Sequence, residues 1–400
     1  MASLRSNPRL LCGFHALQMS LFPMAIITIF FKEEIGLDMG EIMLLQGCFG
    51  LAMAAFEFPS GYLADRIGYR RSLVLAAIMQ VAGWSLYVLA ENWLAVVAAE
   101  LVLGVGMSLV SGSDAALLYE SLVDLGQEED YALWSGRMKF WGQFGEGTAA
   151  IAAGLLYAVH GRLPFVIEVG IWLIAVLVAL RLVEPSRERP PLGDDWNQVK
   201  RLTAELFHGN PRLRSTALAM IVFGMSSFVP VWTIQLYALD AGLREAWLGP
   251  VWAAANYSVA IGALLSRPLG RWLGLGRLLV VCVALVAAGY AGLGFSHALF
   301  GFAFYFLLTL MCGLYMPMLQ HVEQRLIPSR DRAGFLSLRS LLFRSAFLVI
   351  GPVVGGAIDR RGQHEVMLVL GAIFTLLAGL ALLGLRRRGL LRPSSPSGAA

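Results

Sequence analysis

A chain of 400 residues that is 58% hydrophobic and only 14% charged carries far more apolar surface than a soluble domain, usually about a quarter charged, can hide. Its net charge of +4 is small, and its basic residues sit at the ends of apolar runs rather than in one patch, so a nucleic-acid partner is not expected and a lipid bilayer is the natural solvent. Cys12, Cys48, Cys282 and Cys312 lie inside apolar runs without CxxC spacing, and the six histidines show no HExxH pattern, so neither a disulfide, a metal site nor a metalloenzyme is expected.

The first apolar run, 10–31, follows Arg5 and Arg9 as a secretory signal would, but it is too long and no small-residue cleavage site follows it. A spanning helix needs about 20 mostly apolar residues. Further runs of that kind fall at 42–63, 72–90, 93–118, 133–158, 163–183, 213–239, 246–268, 277–296, 298–320, 334–357 and 366–385, which makes twelve. One connection is long and polar, 184–212, with Pro185, Pro190, Pro191 and Asp194-Asp195. The predicted fold is therefore an all-α membrane protein of twelve transmembrane helices in two six-helix bundles, 1–183 and 213–387. The linker 184–212 joins them, and a Pro/Ser-rich tail, 388–400, is expected to be disordered. An even number of crossings puts both termini on one face. Most of the 31 Lys and Arg border that face, against Lys32, Arg162, Arg244, Arg360 and Arg361 on the other, so the N and C termini are predicted to be cytoplasmic. A weak repeat agrees: Leu63-Ala64-Asp65-Arg66-Ile67-Gly68 after the second span is echoed by Leu269-Gly270-Arg271-Trp272-Leu273-Gly274 after the eighth. Duplicated halves are a transporter habit, because two similar bundles can rock about a site between them.

A charge near mid-bilayer costs about 2.5–3.5 kcal/mol, so such residues usually face the bundle interior and have a task. The second span holds Gln46 and Glu57, and the fourth holds Glu100, Ser111 and Asp114. The fifth has Lys139, Gln143 and Glu146 at i, i+4 and i+7, and the eleventh has Ser337, Ser340 and Arg344 at i, i+3 and i+7. Glu57, Asp114, Glu146, Arg344 and Glu100 are the candidates for proton coupling or charge pairing, against the plainer reading that they pin the bundles. Glu100 leans to the plainer one, being about two turns from the end of its span. Protonation of a carboxylate paired with Arg344 would weaken the pair and shift the balance between inward-open and outward-open states. Gln46, Trp141, Gln143, Gln235, Trp232, Asn256, Tyr257 and Tyr315 would suit a cavity for an amphipathic compound, although an isolated aromatic is more often packing or an interface anchor. No Walker-type loop is present, so no cofactor is expected and the proton gradient is the expected driving force.

The turn after the second span must reverse the chain, which suits Gly61 and Gly68, while Arg66, Arg70 and Arg71 obey the orientation rule. Asp65 is explained by neither. A carboxylate there can dock at the positive N-terminus of a neighbouring helix and hold one conformation closed. From Gly61 to Leu73 the pattern resembles the G-x-L-a-D-r-x-G-r-k-x-x-l signature of the major facilitator superfamily, with Tyr69 in a place that is usually basic. The resemblance implies halves that alternate access to a central cavity, with Gly61, Asp65, Arg66, Gly68, Arg70 and Arg71 as a conformational latch closing on the span at 334–357. It also implies that the second and eleventh spans meet, which favours Glu57 as the partner of Arg344 and leaves Asp114 and Glu146 open. Gly351-Pro352-Val353-Val354-Gly355-Gly356 has the form of the drug/proton antiporter motif G-P-x-x-G-G, but in the eleventh span rather than the fifth. Gly351, Pro352, Gly355 and Gly356 are expected to permit close packing and a bend. The fourth-span pattern R-x-x-q-G-x-G appears as Glu100-Leu101-Val102-Leu103-Gly104-Val105-Gly106, with a protonatable carboxylate in place of the arginine that the family links to proton coupling.

The chain thus most resembles the twelve-helix drug/proton antiporter-type efflux proteins. The expected function is non-enzymatic: a multi-pass secondary transporter of the cell inner (plasma) membrane, monomeric, exporting a small amphipathic compound in exchange for protons. The alternatives are a proton symporter importing an anionic solute on Arg344 and Lys139, a lipid or lysolipid flippase, and a non-transporting membrane sensor.

Overall fold

In hydrocarbon a backbone must satisfy its own N–H and C=O groups, and the helix does so within one segment. The computed structural model describes residues 3–186, 204–205, 209–298, 300–327 and 332–391, less the side chains of Phe58, Asp65, Ala132, Arg332 and Ala333. Most of the predicted linker and tail lies outside the described residues, as does the side chain of Asp65.

The helices are α1 (Asn7–Met19), α2 (Met39–Ile67), α3 (Tyr69–Leu89), α4 (Trp93–Val110), α5 (Ser113–Asp124), α6 (Tyr131–Val159), α7 (Leu163–Arg181), α8 (Pro211–Val231), α9 (Ile234–Asp240), α10 (Leu248–Leu273), α11 (Leu275–Phe295), α12 (Tyr305–Leu326), α13 (Arg332–Arg361) and α14 (Gln363–Arg387). Caps set several starts. Asp38 and Glu41 form a reciprocal capping box at α2, Asn92 accepts from Ala95 N at α4, and Asn210 accepts from Arg212 N and Leu213 N, with Pro211 as the first residue of α8.

The expectation of twelve spans is met in part. Among the described residues ten helices are long and apolar enough to cross a membrane, or eleven if the bent first pair counts as one. α6 falls short because Trp134, Arg137, Lys139, Trp141, Gln143 and Glu146 lower its hydropathy. Three predicted runs are also interrupted. The first bends by 48° where short turns around Pro23 replace the α-helical ladder. The fourth breaks between α4 and α5 at Gly112, whose φ is 85°. The seventh breaks at Trp232–Thr233, just past Pro230.

The packing of the helices divides the chain into two units. The first is Met1–Gly193 with Arg244–Ala253 and Leu348–Pro352; the second is Asp194–Leu243 with Ala254–Phe347 and Val353–Ala400. The same packing scheme recurs in both. In the first unit α3 packs on α4 and α7, and α1 on α7; in the second α11 packs on α12 and α14, and α8 on α14. Glycines mark equivalent crossings. A methyl at Gly83 of α3 would meet Leu103 of α4, and one at Gly289 of α11 would meet Leu308 of α12. Gly104 of α4 lies against Phe49 O of α2, and Gly313 of α12 lies against Gly262 of α10.

The turn from α2 to α3 is tighter than expected. α2 continues through Gly61 and Arg66 to Ile67, so Gly61 is a helical residue with open space at its Cβ position and only Gly68 reverses the chain, at φ 100°. Gly274, at φ 79°, makes the equivalent turn before α11. At Gly68 an added Cβ would also strike the Glu184 carboxyl, 2.7 Å away. Glu184 Oε1 accepts from Tyr69 N at 2.7 Å and Oε2 from Arg70 N at 2.8 Å, while Arg70 Nη2 donates to Leu180 O at 2.8 Å. A carboxylate thus satisfies the first free N–H groups of α3 and faces the positive end of its dipole. Glu184→Ala is expected to cost about 1 kcal/mol, read as a lowered melting temperature of the purified protein. Glu184→Gln should recover part of it.

Arg162, one of the basic residues predicted to lie on the face opposite the termini, has a structural task. Its Nη1 donates to Val88 O at 2.5 Å and Nη2 to Ala90 O at 2.9 Å, so it caps the carbonyl end of α3. Arg361 on the same predicted face pairs with Glu365 at 3.2 Å.

Candidate functional site

In the first unit two carboxylates of the predicted coupling set, Glu100 and Asp114, flank an interrupted span. α4 ends at Val110, Gly112 takes the left-handed conformation that a Cβ disfavours, and α5 restarts at Ser113. One carboxylate lies on each side of that break.

Before it, Glu100 is 4% exposed, and its Oε1 accepts from Tyr87 Oη at 2.6 Å and Gln46 Nε2 at 2.8 Å. Tyr87 is held by stacking on Phe165, 5.4 Å between centroids, and by contacts to Trp84, Phe30 and Phe31. The structure brings Gln46 and Glu100 together as a closed polar cluster, with Gln46 buried against the carboxylate rather than open to a solute.

After the break, Asp114 sits in the first turn of α5, where its Oδ1 accepts from Ala115 N at 2.7 Å. Its Oδ2 is 3.7 Å from His15 Nδ1 of α1, and the two side chains are 15% and 20% exposed. α6 closes the third side: a methyl at Gly142 would lie 2.7 Å from His15 Cδ2. The next residue of α6, Gln143, donates from Nε2 to Glu146 Oε2 at 3.2 Å. Lys139 is exposed on the same helix, and Trp141 is 44% exposed with edge-on contacts to Phe140 and Phe144. Asp114, His15, Gln143 and Glu146 thus offer hydrogen-bonding and exchangeable-proton chemistry on α1, α5 and α6.

Sequence reasoning missed His15. It also missed two buried carboxylates. Glu168 of α7 is fully buried, and its Oε2 accepts from Phe22 N at 3.1 Å in the bend of the first span, an N–H shared with Ser20 O. Glu323 of α12 is fully buried and pairs with Arg339 of α13 at 3.4 Å, near the apolar cluster of Leu213, Ala217, Ile327, Phe335 and Leu338.

In the second unit Arg344 Nε donates to Ser340 Oγ at 3.3 Å. Trp232, Gln235 and Tyr315, expected to line a cavity, are buried in the packing of the unit, with Tyr315 stacked on Phe223 at 5.3 Å and Trp232 edge-on to Phe228. Asn256 is half-buried and Tyr257 is 59% exposed. In the turn from α2 to α3, Arg66 lies over the Tyr62 ring at 5.0 Å, and Arg71 is exposed. Glu57 is half-buried in α2. Of the displaced motif, Pro352 sits inside α13, and the nearest atom to a methyl at Gly356 is Arg360 Nη2 of the same helix, at 3.4 Å. Close interhelical approach is seen at Gly262 and Gly313.

Known proteins give this architecture a context. The chain is 21% identical over 272 residues to an uncharacterized MFS-type transporter, YxaM, of Bacillus subtilis (strain 168), an alignment that takes in 62% of each protein. The chain therefore spans about 62% of the length of the curated relative it matches. Among solved structures, the nucleoside transporter NupG matches with a TM-score of 0.76 at 14% identity, over 96% of this chain and 99% of that one. A bacterial homolog of the human lysosomal transporter Spinster, inward-facing and unoccupied, matches at 0.76 and 16%, over 99% and 100%. The peptide transporter POT in complex with sulfate matches at 0.75 and 14%, over 96% and 95%. Identities this low show a shared fold. The family model of the Major Facilitator Superfamily matches residues 10–346, and this chain belongs to that superfamily of membrane transporters.

Proposed function

We propose that the chain is a proton-coupled exporter of a small amphipathic compound, working by alternating access as a monomer in the cell inner (plasma) membrane, with both termini in the cytoplasm and no cofactor. The observation that carries this reading is Asp114 facing His15 across 3.7 Å beside the break at Gly112, both partly accessible inside a span. A titratable pair at that depth has few plainer uses. Protonation removes the charge on Asp114 and its attraction to a charged His15, so the two protonation states can favour different arrangements of α1 and α5. Glu146, with Gln143 and Trp141 on α6, supplies substrate contacts of the mixed polar and aromatic kind that an amphipathic solute needs. The reading places Asp65 and its neighbours as a cytoplasmic latch and Arg344 as the cation that answers a carboxylate in one of the two states.

The test uses protein reconstituted in proteoliposomes with an imposed pH gradient and a panel of amphipathic amines, phenols and acids. At least one compound is expected to discharge the gradient only when the protein is present, and a protonophore should abolish its accumulation. Accumulation that is indifferent to the gradient would overturn proton coupling. Movement of an anionic solute in the same direction as the protons would replace export with symport.

A further inference from the structure

The end of α11 and the start of α14, both in the second unit, bring two histidines together. The rings of His297 and His364 lie 4.2 Å apart between centroids, at 47° to one another. His364 Nδ1 is 3.1 Å from Leu293 O. A carbonyl only accepts, so Nδ1 carries the proton and Nε2 of the neutral ring keeps its lone pair. Tyr237 steadies the arrangement: its single O–H is shared between Ser296 O at 2.7 Å and Leu293 O at 2.9 Å, and its ring lies 5.1 Å from that of His364. His297 is exposed on the turn after α11. A histidine whose second ring nitrogen is tied to a backbone carbonyl, with its tautomer fixed and the opposite nitrogen free, has the outer-shell support that metal-ligating histidines usually have.

We propose that His297 and His364 form a two-histidine site for a borderline divalent transition metal ion of the Zn2+ class, with water in the remaining positions. Imidazole pairs select Zn2+, Ni2+ or Cu2+ over hard ions such as Mg2+ and Ca2+. Two metal–nitrogen bonds of about 2.0–2.1 Å at a tetrahedral angle would set the ring centroids about 5 Å apart, so the pair needs to open by about 1 Å. His297 can supply that movement because its ring stands exposed on the turn, outside both helices. Among the described residues no group of three or more His, Cys, Asp or Glu side chains is placed to hold a metal. Two protein ligands therefore suit a reversible ion that fastens the turn after α11 to the first turn of α14, rather than a permanent structural one. By the distribution of basic residues this end of the unit faces outward, where such an ion would act on the transporter from outside the cell.

The full chain purified in detergent is titrated with ZnCl2 in a calorimeter, and its melting temperature is followed against Zn2+ concentration. Wild type is expected to bind Zn2+ and to melt at higher temperature as Zn2+ rises, with no such shift for Mg2+. His297→Ala is the decisive variant, because His364→Ala also removes the bond to Leu293. It should weaken Zn2+ binding by at least about ten-fold and abolish the shift, whereas His321→Ala, on exposed α12 surface, should retain both. A wild type without a zinc-dependent shift, or a His297→Ala protein that keeps it undiminished, overturns the site.

Discussion

Asp114→Asn is expected to abolish gradient-driven accumulation while leaving downhill exchange of the same compound within about two-fold of wild type. The amide keeps the shape of the side chain and an oxygen to accept from Ala115 N, now at 2.7 Å, so α5 should still start where it does. It cannot take a proton. A gradient of two pH units supplies about 2.7 kcal/mol per exchanged proton, enough for about a hundred-fold accumulation, and all of that is lost if no proton moves. His15→Gln should weaken coupling without removing the carboxylate. Glu100 is the control. It is 4% exposed and enclosed by Tyr87 and Gln46, so it lacks the access of the His15–Asp114 pair. Glu100→Gln, which can still accept from both donors, should leave coupling intact. Glu100→Ala strands a hydroxyl and an amide and should cost about 1–3 kcal/mol for each unsatisfied group. Undiminished accumulation in Asp114→Asn, or its loss in Glu100→Gln, would move the titrating site.

Hydropathy located the helices because the bilayer imposes both length and composition on whatever crosses it. It could not locate the breaks. The interruptions at Ser20–Ile26 and at Trp232–Thr233 are matters of local backbone geometry inside runs that are apolar on both sides, though Pro23 and Pro230 stood there to be noticed. Gly68 was legible as a turn because nothing else beside it permits positive φ, whereas Gly61 looked the same in sequence and proved to be ordinary helix. The site divides along the same line. Asp114 and Glu100 stood out as charges in apolar runs, but their partners His15, Tyr87 and Gln46 come from α1, α3 and α2, and no single sequence records which helix faces which. Glu168 is different. It lay inside the predicted sixth span and met the criterion applied to Glu57 and Asp114, so its signal was present. Glu323 lay just past the predicted end of its span, where a charge looks like solvent exposure, and the longer α12 buries it.

Gly313→Val is expected to leave little folded protein. Gly313 and Gly262 face each other where α12 crosses α10, and a Cβ on Gly313 would overlap Val259 O and lie 2.8 Å from Ala263 N and 2.9 Å from Gly262 Cα. All three are backbone atoms of one helix, so no rotamer can relieve the clash and α10 itself must move away. Ser258 Oγ, which donates to Phe306 O at 2.9 Å across the same crossing, would then lose its acceptor. Overpacking of this kind should cost at least about 3 kcal/mol, because a membrane bundle depends on close backbone approach for its dispersion energy. Gly104→Val should be milder: its nearest neighbours, Phe49 O at 2.8 Å, the Ala52 methyl at 3.0 Å and Met53 N at 3.2 Å, stand further off than those around Gly313. Gly379→Ala meets nothing within 4 Å and should be neutral or stabilising by about 0.5–1 kcal/mol, the helix-propensity gain of a Cβ. The measurement is the monodisperse fraction after detergent extraction together with the melting temperature, and the order should run Gly379→Ala, Gly104→Val, Gly313→Val from most to least stable. Since the crossing of α12 on α10 repeats that of α4 on α2, damage at both sites would also mean that each unit rests on the same small-residue contact; a Gly313→Val protein that melts with the wild type would sink that idea.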